Sequence, residues 1–117
     1  MKYMLQIYGN VTRDQVAAMS DEERKQLYAD WGAINQTPGV TAAPFELDDP
    51  ATATTIRVEN GQTLVTDGPF AQTKEALGGW LLYEADDLDA AIELAARIPA
   101  ARMGGAVEVR PMVEQSW

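Results

Sequence analysis

The side chains best suited to chemistry lie in the segment VTDGPFAQTKEALGGW, residues 65–80. Asp67 stands before a Gly-Pro-Phe run, and Lys74 and Glu75 follow shortly after. A carboxylate in a pocket can act as a general base, and a lysine beside a cleft can orient a carboxylate or carbonyl group. Asp67 is therefore a candidate general base, and Phe70, Lys74 and Glu75 are candidate ligand-binding residues.

Each of these residues also has a structural interpretation. Asp67 could act as a turn acceptor, with the N–H of Phe70 as its nearest local donor because Pro69 has none. We expect Phe70 mainly to anchor the loop in the core, and only secondarily to stack on a ligand. Lys74 and Glu75 are adjacent and cannot face each other in a regular element, so a solvated pair is the simplest expectation.

Composition excludes several kinds of site. The 117 residues contain no cysteine and no histidine, which removes disulfides, thiolate nucleophiles and the commonest general base. With only oxygen ligands left and no spaced acidic loop, we expect neither a functional metal nor a cofactor. The net charge of −9 opposes nucleic-acid binding. No segment resembles a signal peptide or a membrane span, so the sequence predicts a cytoplasmic protein that does not bind membranes.

The pattern along the chain predicts one domain over residues 1–117. YMLQIY and GWLLYE are apolar on both faces and predict strands that are covered on both sides. Ser20 and Glu23 form a capping box that predicts the start of a helix ending before Pro38-Gly39. The segment 40–47 is ambiguous, an edge strand or a loop, because it contains Pro44.

Asn60-Gly61 predicts a two-residue type I′ hairpin in the segment TTIRVENGQTLVT. Its register places Arg57 opposite Leu64, and Ile56, Val58 and Val65 together on the other face. DDLDAAIELAARIP predicts a helix with an aspartate cap, and GAVEVRPM predicts the last strand. The expected apolar stripe of this helix is Leu88, Ala91, Ile92, Ala95 and Ile98.

This order predicts an α+β fold, a ferredoxin-like antiparallel sheet with two helices on one face. The other face would then be apolar and uncovered, and a second copy of the chain is the economical cover, so we expect a homodimer. Arg57, Glu108 and Arg110 are predicted to project to this helix-free face. They could form salt bridges between protomers, or Arg57 and Arg110 could bind a small anionic ligand as a guanidinium clamp.

The C-terminal half resembles a known family. The run VTDGPFAQTKEALGGWLLYEADDLDAAIELAARIPAARMGGAVEVRPM is similar to the DGPF branch of the YCII-related family. Its members share the motifs DGPFAETKE, DDLD, AAR and EVRP. The resemblance covers nearly the whole chain and implies a ferredoxin-like protomer in a dimeric α/β-barrel assembly. It also implies relationship to isomerase-like and dehydrochlorinase-like proteins, and an association with extracytoplasmic sigma factors.

Two functions follow from these observations. The favoured one is a small-molecule-binding or regulatory protein with a pocket between the sheet and the DGPF loop (Asp67–Phe70). The alternative is a lyase-like or isomerase-like enzyme acting on a small anionic substrate, with Asp67 as general base. A catalytic His-Asp pair, proposed for some family members, cannot exist in a chain without histidine, and Gln72 stands where the family usually has glutamate.

Overall fold

The computed structural model describes residues 1–9, 11–40, 45–71 and 75–114. Its elements, in chain order, are β1 (Lys2–Tyr8), α1 (Arg13–Ala18), α2 (Asp21–Asn35), β2 (Phe45–Glu46), a short 3-10 helix (Pro50–Thr52), β3 (Thr54–Glu59), β4 (Gln62–Asp67), β5 (Leu77–Glu84), α3 (Leu88–Arg97), α4 (Pro99–Arg102) and β6 (Ala106–Pro111).

The described strands form one antiparallel sheet in the order β2-β5-β1-β6 and a separate two-stranded sheet, β3-β4. In the larger sheet Leu5 of β1 pairs with Leu81 of β5 and with Val109 of β6. The structure therefore confirms an α+β fold with antiparallel sheets, and its strand order is consistent with the predicted ferredoxin-like arrangement. In the ambiguous segment 40–47, Phe45 and Glu46 form β2, and residues 41–44 lie outside the described ranges.

The core lies between the larger sheet and helices α2 and α3. Leu5 and Leu81 are fully buried and belong to one cluster with Ile34 of α2 and Leu94 of α3. Each fully buried aliphatic side chain stabilises the fold by about 1.5–3 kcal/mol. This cluster fixes the helices on one face of the sheet, as the sequence predicted.

The opposite side of the sheet is the helix-free face. Residues that alternate with the buried ones point to this side. Met4 pairs with Leu82 in register, and both of these apolar side chains are half-buried. Glu108 and Arg110 of β6 also project to this face and are exposed, as predicted. The full set is Lys2, Met4, Gln6, Tyr8, Trp80, Leu82, Glu84, Ala106, Glu108 and Arg110.

The predicted helix starts are confirmed. The Ser20 hydroxyl accepts a hydrogen bond from the Glu23 N–H at 3.1 Å, and the Glu23 carboxylate accepts one from the Ser20 N–H at 3.4 Å. The Asp87 carboxylate accepts a bond from the N–H of Ala90 at 2.9 Å at the start of α3. Both caps satisfy backbone donors that would otherwise lack partners.

The predicted apolar stripe of α3 is partly wrong. Leu88 and Ile92 are about half exposed, whereas Leu94, which was not predicted, is fully buried. Helix α3 is rotated on the sheet so that a stripe with i, i+3, i+4, i+7 spacing faces the core. That stripe consists of Ala91, Leu94, Ala95 and Ile98.

Strands β3 and β4 form a hairpin that we call the arm (Thr54–Asp67). Asn60 has φ of 50° and Gly61 has φ of 77°, which confirms the type I′ turn. The pairs Arg57–Leu64 and Ile56–Val65 also follow the predicted register. The arm does not join the four-stranded sheet, however, so the prediction that Arg57 lies on the helix-free face is wrong.

Candidate functional site

A shallow, open depression of about 400 Å³ lies where β1 ends and β6 begins. Tyr8 and the first residues of β6 form its wall on the sheet, and Glu75 lies in the segment that leads into β5. It therefore lies at the edge of the sheet, between the sheet and residues that follow the DGPF loop. Its lining residues are Tyr8, Glu75, Ala106, Val107 and Glu108.

Two glycines bring the walls of this depression together. Gly9 has φ of 76°, and its N–H donates to the carbonyl oxygen of Ala76 at 3.1 Å, which ties the end of β1 to the start of β5. A Cβ on Gly105 would lie 2.3 Å from the carbonyl oxygen of Tyr8 and 2.8 Å from that of Gly9. Only glycine allows the backbone before β6 to approach the end of β1 so closely.

Among the residues that the structure describes, the charged groups near the depression are two carboxylates and one arginine. Glu75 and Glu108 line it, and Arg110 lies two residues beyond Glu108 on the same strand face. The Arg110 guanidinium donates to the Glu108 carboxylate at 3.2 Å, and both side chains are more than half exposed. An exposed ion pair of this kind contributes little stability. Arg110 can therefore exchange Glu108 for another carboxylate.

Asp67 lies at the end of β4, opposite Thr54, and is exposed. Among the described residues its carboxylate has no hydrogen-bond partner. The turn after it is held by other groups: the Gly68 N–H donates to the Ala53 carbonyl at 2.7 Å, and the Thr55 hydroxyl donates to the Gly68 carbonyl at 2.8 Å. The structure thus assigns the turn-stabilising role predicted for Asp67 to the backbone and Thr55.

Phe70 does not anchor the DGPF loop in the core, so that prediction is wrong. Its side chain is 74% exposed. The centre of its ring lies 4.9 Å from the guanidinium carbon of Arg57, which is a cation–π contact. The structure therefore brings together two of the predicted ligand-binding residues, on the side of the arm opposite Ile56 and Val65.

Only some of the predicted site residues lie at the depression. Glu75 lines the depression, and Arg110 lies beside it, whereas Asp67, Arg57 and Phe70 do not line it. Lys74 lies outside the described residues. Sequence reasoning missed the close approach of Gly9 and Gly105, the neighbours of the lining residues Tyr8 and Ala106. The Gly104-Gly105 pair before a strand was its visible sign in the sequence.

A second depression, of about 250 Å³, lies between α2 and the α3–α4 segment. Asp30 there accepts hydrogen bonds from the Gln26 amide, at 2.8 Å, and from the Arg102 guanidinium. These two bonds, that of Gln26 first, hold the pKa of the Asp30 carboxyl below its usual value. Asp30 of α2 and Arg102 of α4 form an ion pair with each other in this depression. Their charges therefore hold the two helices together, and we assign them no ligand.

The described residues contain no group of three or more acidic, histidine or cysteine side chains that could hold a metal ion. Across the same ranges, every helix is too short or too polar to span a bilayer.

Comparison with known proteins agrees with the motifs. The sequence model of the YCII-related domain matches residues 1–116. An uncharacterised protein of Rhizobium meliloti (strain 1021) is 35% identical over 100 residues, which cover 82% of this chain and 81% of that protein. The family model spans the arm, helices α2 and α3 and every strand that the structure describes. The chain therefore belongs to the YCII-related domain family.

Proposed function

We propose that this protein is a non-catalytic, small-molecule-binding member of the DGPF branch, with a ferredoxin-like protomer that acts as a homodimer. The observation that carries the proposal is the depression at Tyr8, Glu75 and Glu108, with Arg110 beside it. Binding sites are concave, with an apolar wall and a few polar groups that orient the ligand. Here Ala106 and Val107 supply the apolar wall.

The polar groups favour a small carboxylic acid that also carries a hydroxyl or amino group. The Arg110 guanidinium can bind a carboxylate with two parallel hydrogen bonds once Glu108 releases it. The carboxylates of Glu75 and Glu108 then accept hydrogen bonds from the ligand's donors. The Tyr8 hydroxyl can donate or accept. An anion that has no hydrogen-bond donor could not bond to the carboxylates of Glu75 and Glu108 and would be repelled by their charge.

Calorimetry with a panel of small carboxylates, including hydroxy, amino and aromatic acids, tests this proposal. We expect millimolar or tighter binding of at least one donor-bearing acid, and a loss of about tenfold or more in affinity for Arg110→Gln. Arg97→Gln is the matched control, since Arg97 is an exposed arginine on α3. Unchanged binding by Arg110→Gln, or no binding by any acid, would refute the proposal.

The homodimer is proposed because the helix-free face keeps half-buried apolar side chains at Met4 and Leu82 in the single chain. The dimeric α/β-barrel implied by the family resemblance is one way to cover them. Sedimentation at micromolar concentration measures the state. We expect a dimer, and a clean monomer at that concentration would contradict the expectation.

The alternative, a lyase-like or isomerase-like enzyme with Asp67 as general base, has less support. A general base works best where burial or neighbouring groups adjust its pKa, and Asp67 is exposed at the base of the arm. Asp67→Asn separates the two functions because an amide cannot accept a proton from a substrate. Ligand binding and stability close to wild type are expected. If an activity is found and Asp67→Asn abolishes it, the enzymatic function is correct.

A further inference from the structure

The arm leaves an apolar surface uncovered. Ile56, Val58 and Val65 share one of its faces and are 54%, 66% and 64% exposed. Strands β3 and β4 pack on each other, and neither makes extensive contact with any other described helix or strand. A two-stranded hairpin is only marginally stable in water without a further layer on its apolar face. Something outside the single chain's described elements must therefore cover this face.

The arm keeps its charges away from the centre of its apolar face. Residues 54–67 contain one arginine and two acids. None of the three charges lies between the apolar residues of the exposed face, since Arg57 and Glu59 point to the opposite side and Asp67 lies at the base. Protein interfaces exclude charge from their centre in the same way.

The same chain has a second apolar surface that is only partly covered, at Met4 and Leu82 of the helix-free face, which are half-buried. The apolar face of the arm consists of three side chains, which is too little for a lasting complex, since a standard interface takes about 800 Å² and roughly 20–30 residues from each partner. A two-fold dimer uses every contact twice. An arm placed on the partner's sheet, together with the reciprocal contact, covers both apolar surfaces of both copies.

We propose that the arm of each copy packs its Ile56, Val58 and Val65 face on the helix-free face of a second copy, around the partner's Met4 and Leu82. This inference rests on the homodimer of the proposed function and names the element that holds it together. The arm's opposite face, with Arg57 and Phe70, then lies on the outside of the dimer. Direct packing of two sheets with both arms free is the competing geometry.

Sedimentation of charged variants distinguishes these geometries. Val58→Lys places a charge in the proposed contact, and we expect it to raise the dimer dissociation constant by about 100-fold or more. Gln62→Lys is the matched control, because it adds the same charge to the same hairpin on the opposite face. We expect it to dimerise like wild type. Val58→Thr keeps the branched shape of the side chain, so it protects the test against misfolding, and about tenfold weaker association is expected.

Cysteine cross-linking locates the contact, because the chain has no cysteine of its own. The double variant Val58→Cys with Leu82→Cys should form disulfide-linked species of dimer mass on mild oxidation, while each single variant should stay largely unlinked. A disulfide within one chain would overturn the proposal.

Other outcomes of the sedimentation and cross-linking experiments would also overturn the arm contact. A Val58→Lys protein that dimerises like wild type, with a Leu82→Arg protein that does not, would overturn the arm contact and leave the sheet-mediated dimer in place. A wild-type protein that remains monomeric would overturn both. Linking by Val58→Cys alone would show that arms meet arms, which the proposal forbids.

Discussion

At the scale of single residues, exposure decides what each motif residue does. The DGPF loop carries a phenylalanine, and phenylalanine is among the residue types most often buried. Here Phe70 is exposed and stacks with Arg57, while Leu81 is completely buried a short distance along the chain. The apolar side chains of Phe70 and Leu81 should therefore contribute very different amounts to the free energy of unfolding.

Phe70→Ala should lower the free energy of unfolding by less than about 1 kcal/mol, because an exposed cation–π contact is worth roughly 0.5–1 kcal/mol. Leu81→Ala is the comparison, and a buried leucine truncation costs about 2–5 kcal/mol. Urea denaturation followed by circular dichroism measures both. A Phe70→Ala protein destabilised as strongly as Leu81→Ala would mean that Phe70 is buried in the assembled protein.

Gly105→Ala should destabilise the protein by several kcal/mol, on the order of 2–4, because its Cβ would overlap backbone carbonyl oxygens that cannot move aside cheaply. The distances, 2.3 Å to Tyr8 and 2.8 Å to Gly9, are far below contact. Gly32→Ala is the control, since nothing lies within 4 Å of its Cβ inside α2. That change should stabilise by roughly 0.5–1 kcal/mol. Equal melting temperatures for the two variants would contradict the close approach.

At the scale of elements, local chemistry explains where helices begin. Ser20 and Asp87 cap α2 and α3 at the predicted positions. A third helix, α1, begins with a capping box of Thr12 and Gln15 that has the same spacing and was not recognised in the sequence. How the elements contact one another is set by pairs distant in the chain, such as Asp30 of α2 with Arg102 of α4.

The Asp30 contact predicts a pH dependence of stability. Because folding lowers the pKa of Asp30, its charged form stabilises the native state, and this contribution is fully present above the unfolded-state pKa of about 4. It is lost as the pH falls through the lower folded-state pKa. Asp30→Asn should therefore be less stable than wild type at pH 7, and the difference should shrink below about pH 4.

Thermal unfolding between about pH 2.5 and pH 7 measures this difference. Glu93→Gln is the control, because Glu93 is exposed on α3 and makes no ion pair among the described residues. It should follow the wild-type curve. A difference between Asp30→Asn and wild type that stays constant with pH would show that the charge of Asp30 contributes nothing.

At the scale of the whole molecule, the arm makes the chain extended. The radius of gyration is 16.4 Å and the extents are 52 × 42 × 19 Å. A compact domain of this length has a radius of gyration of roughly 13 Å. The excess, together with the apolar face of the arm, is the whole-molecule observation that supports the proposed homodimer.

Association should strengthen with salt. Each copy carries a net charge of −9, so pairing two copies brings like charges together, and salt screens that repulsion while leaving the apolar contact in place. Raising NaCl from about 20 mM to about 300 mM, over which the screening length falls severalfold, should lower the dimer dissociation constant. Sedimentation equilibrium at both concentrations measures the change. Weaker association at high salt would mean that attraction between opposite charges dominates the interface.

Much of the fold could be predicted because it depends on neighbours in sequence. The caps at Ser20 and Asp87 and the type I′ turn at Asn60-Gly61 satisfy hydrogen bonds and dihedral preferences within a few residues. The register of the arm follows from its turn. The candidate site was harder to predict, since of the predicted site residues that the structure describes only Glu75 lines the depression, with Arg110 beside it.

The family, the mixed α and β composition, the caps, the hairpin and its register can all be read from the amino-acid order, because each rests on local spacing or on motifs. Only folding in three dimensions separates the arm from the main sheet, exposes Phe70 and turns Leu94 of α3 inward. It also decided where the depression lies, because Gly9 and Gly105 meet only after the ends of β1 and β6 are brought together. These outcomes depend on packing between distant segments, where many arrangements satisfy the same local rules and burial of the core selects one.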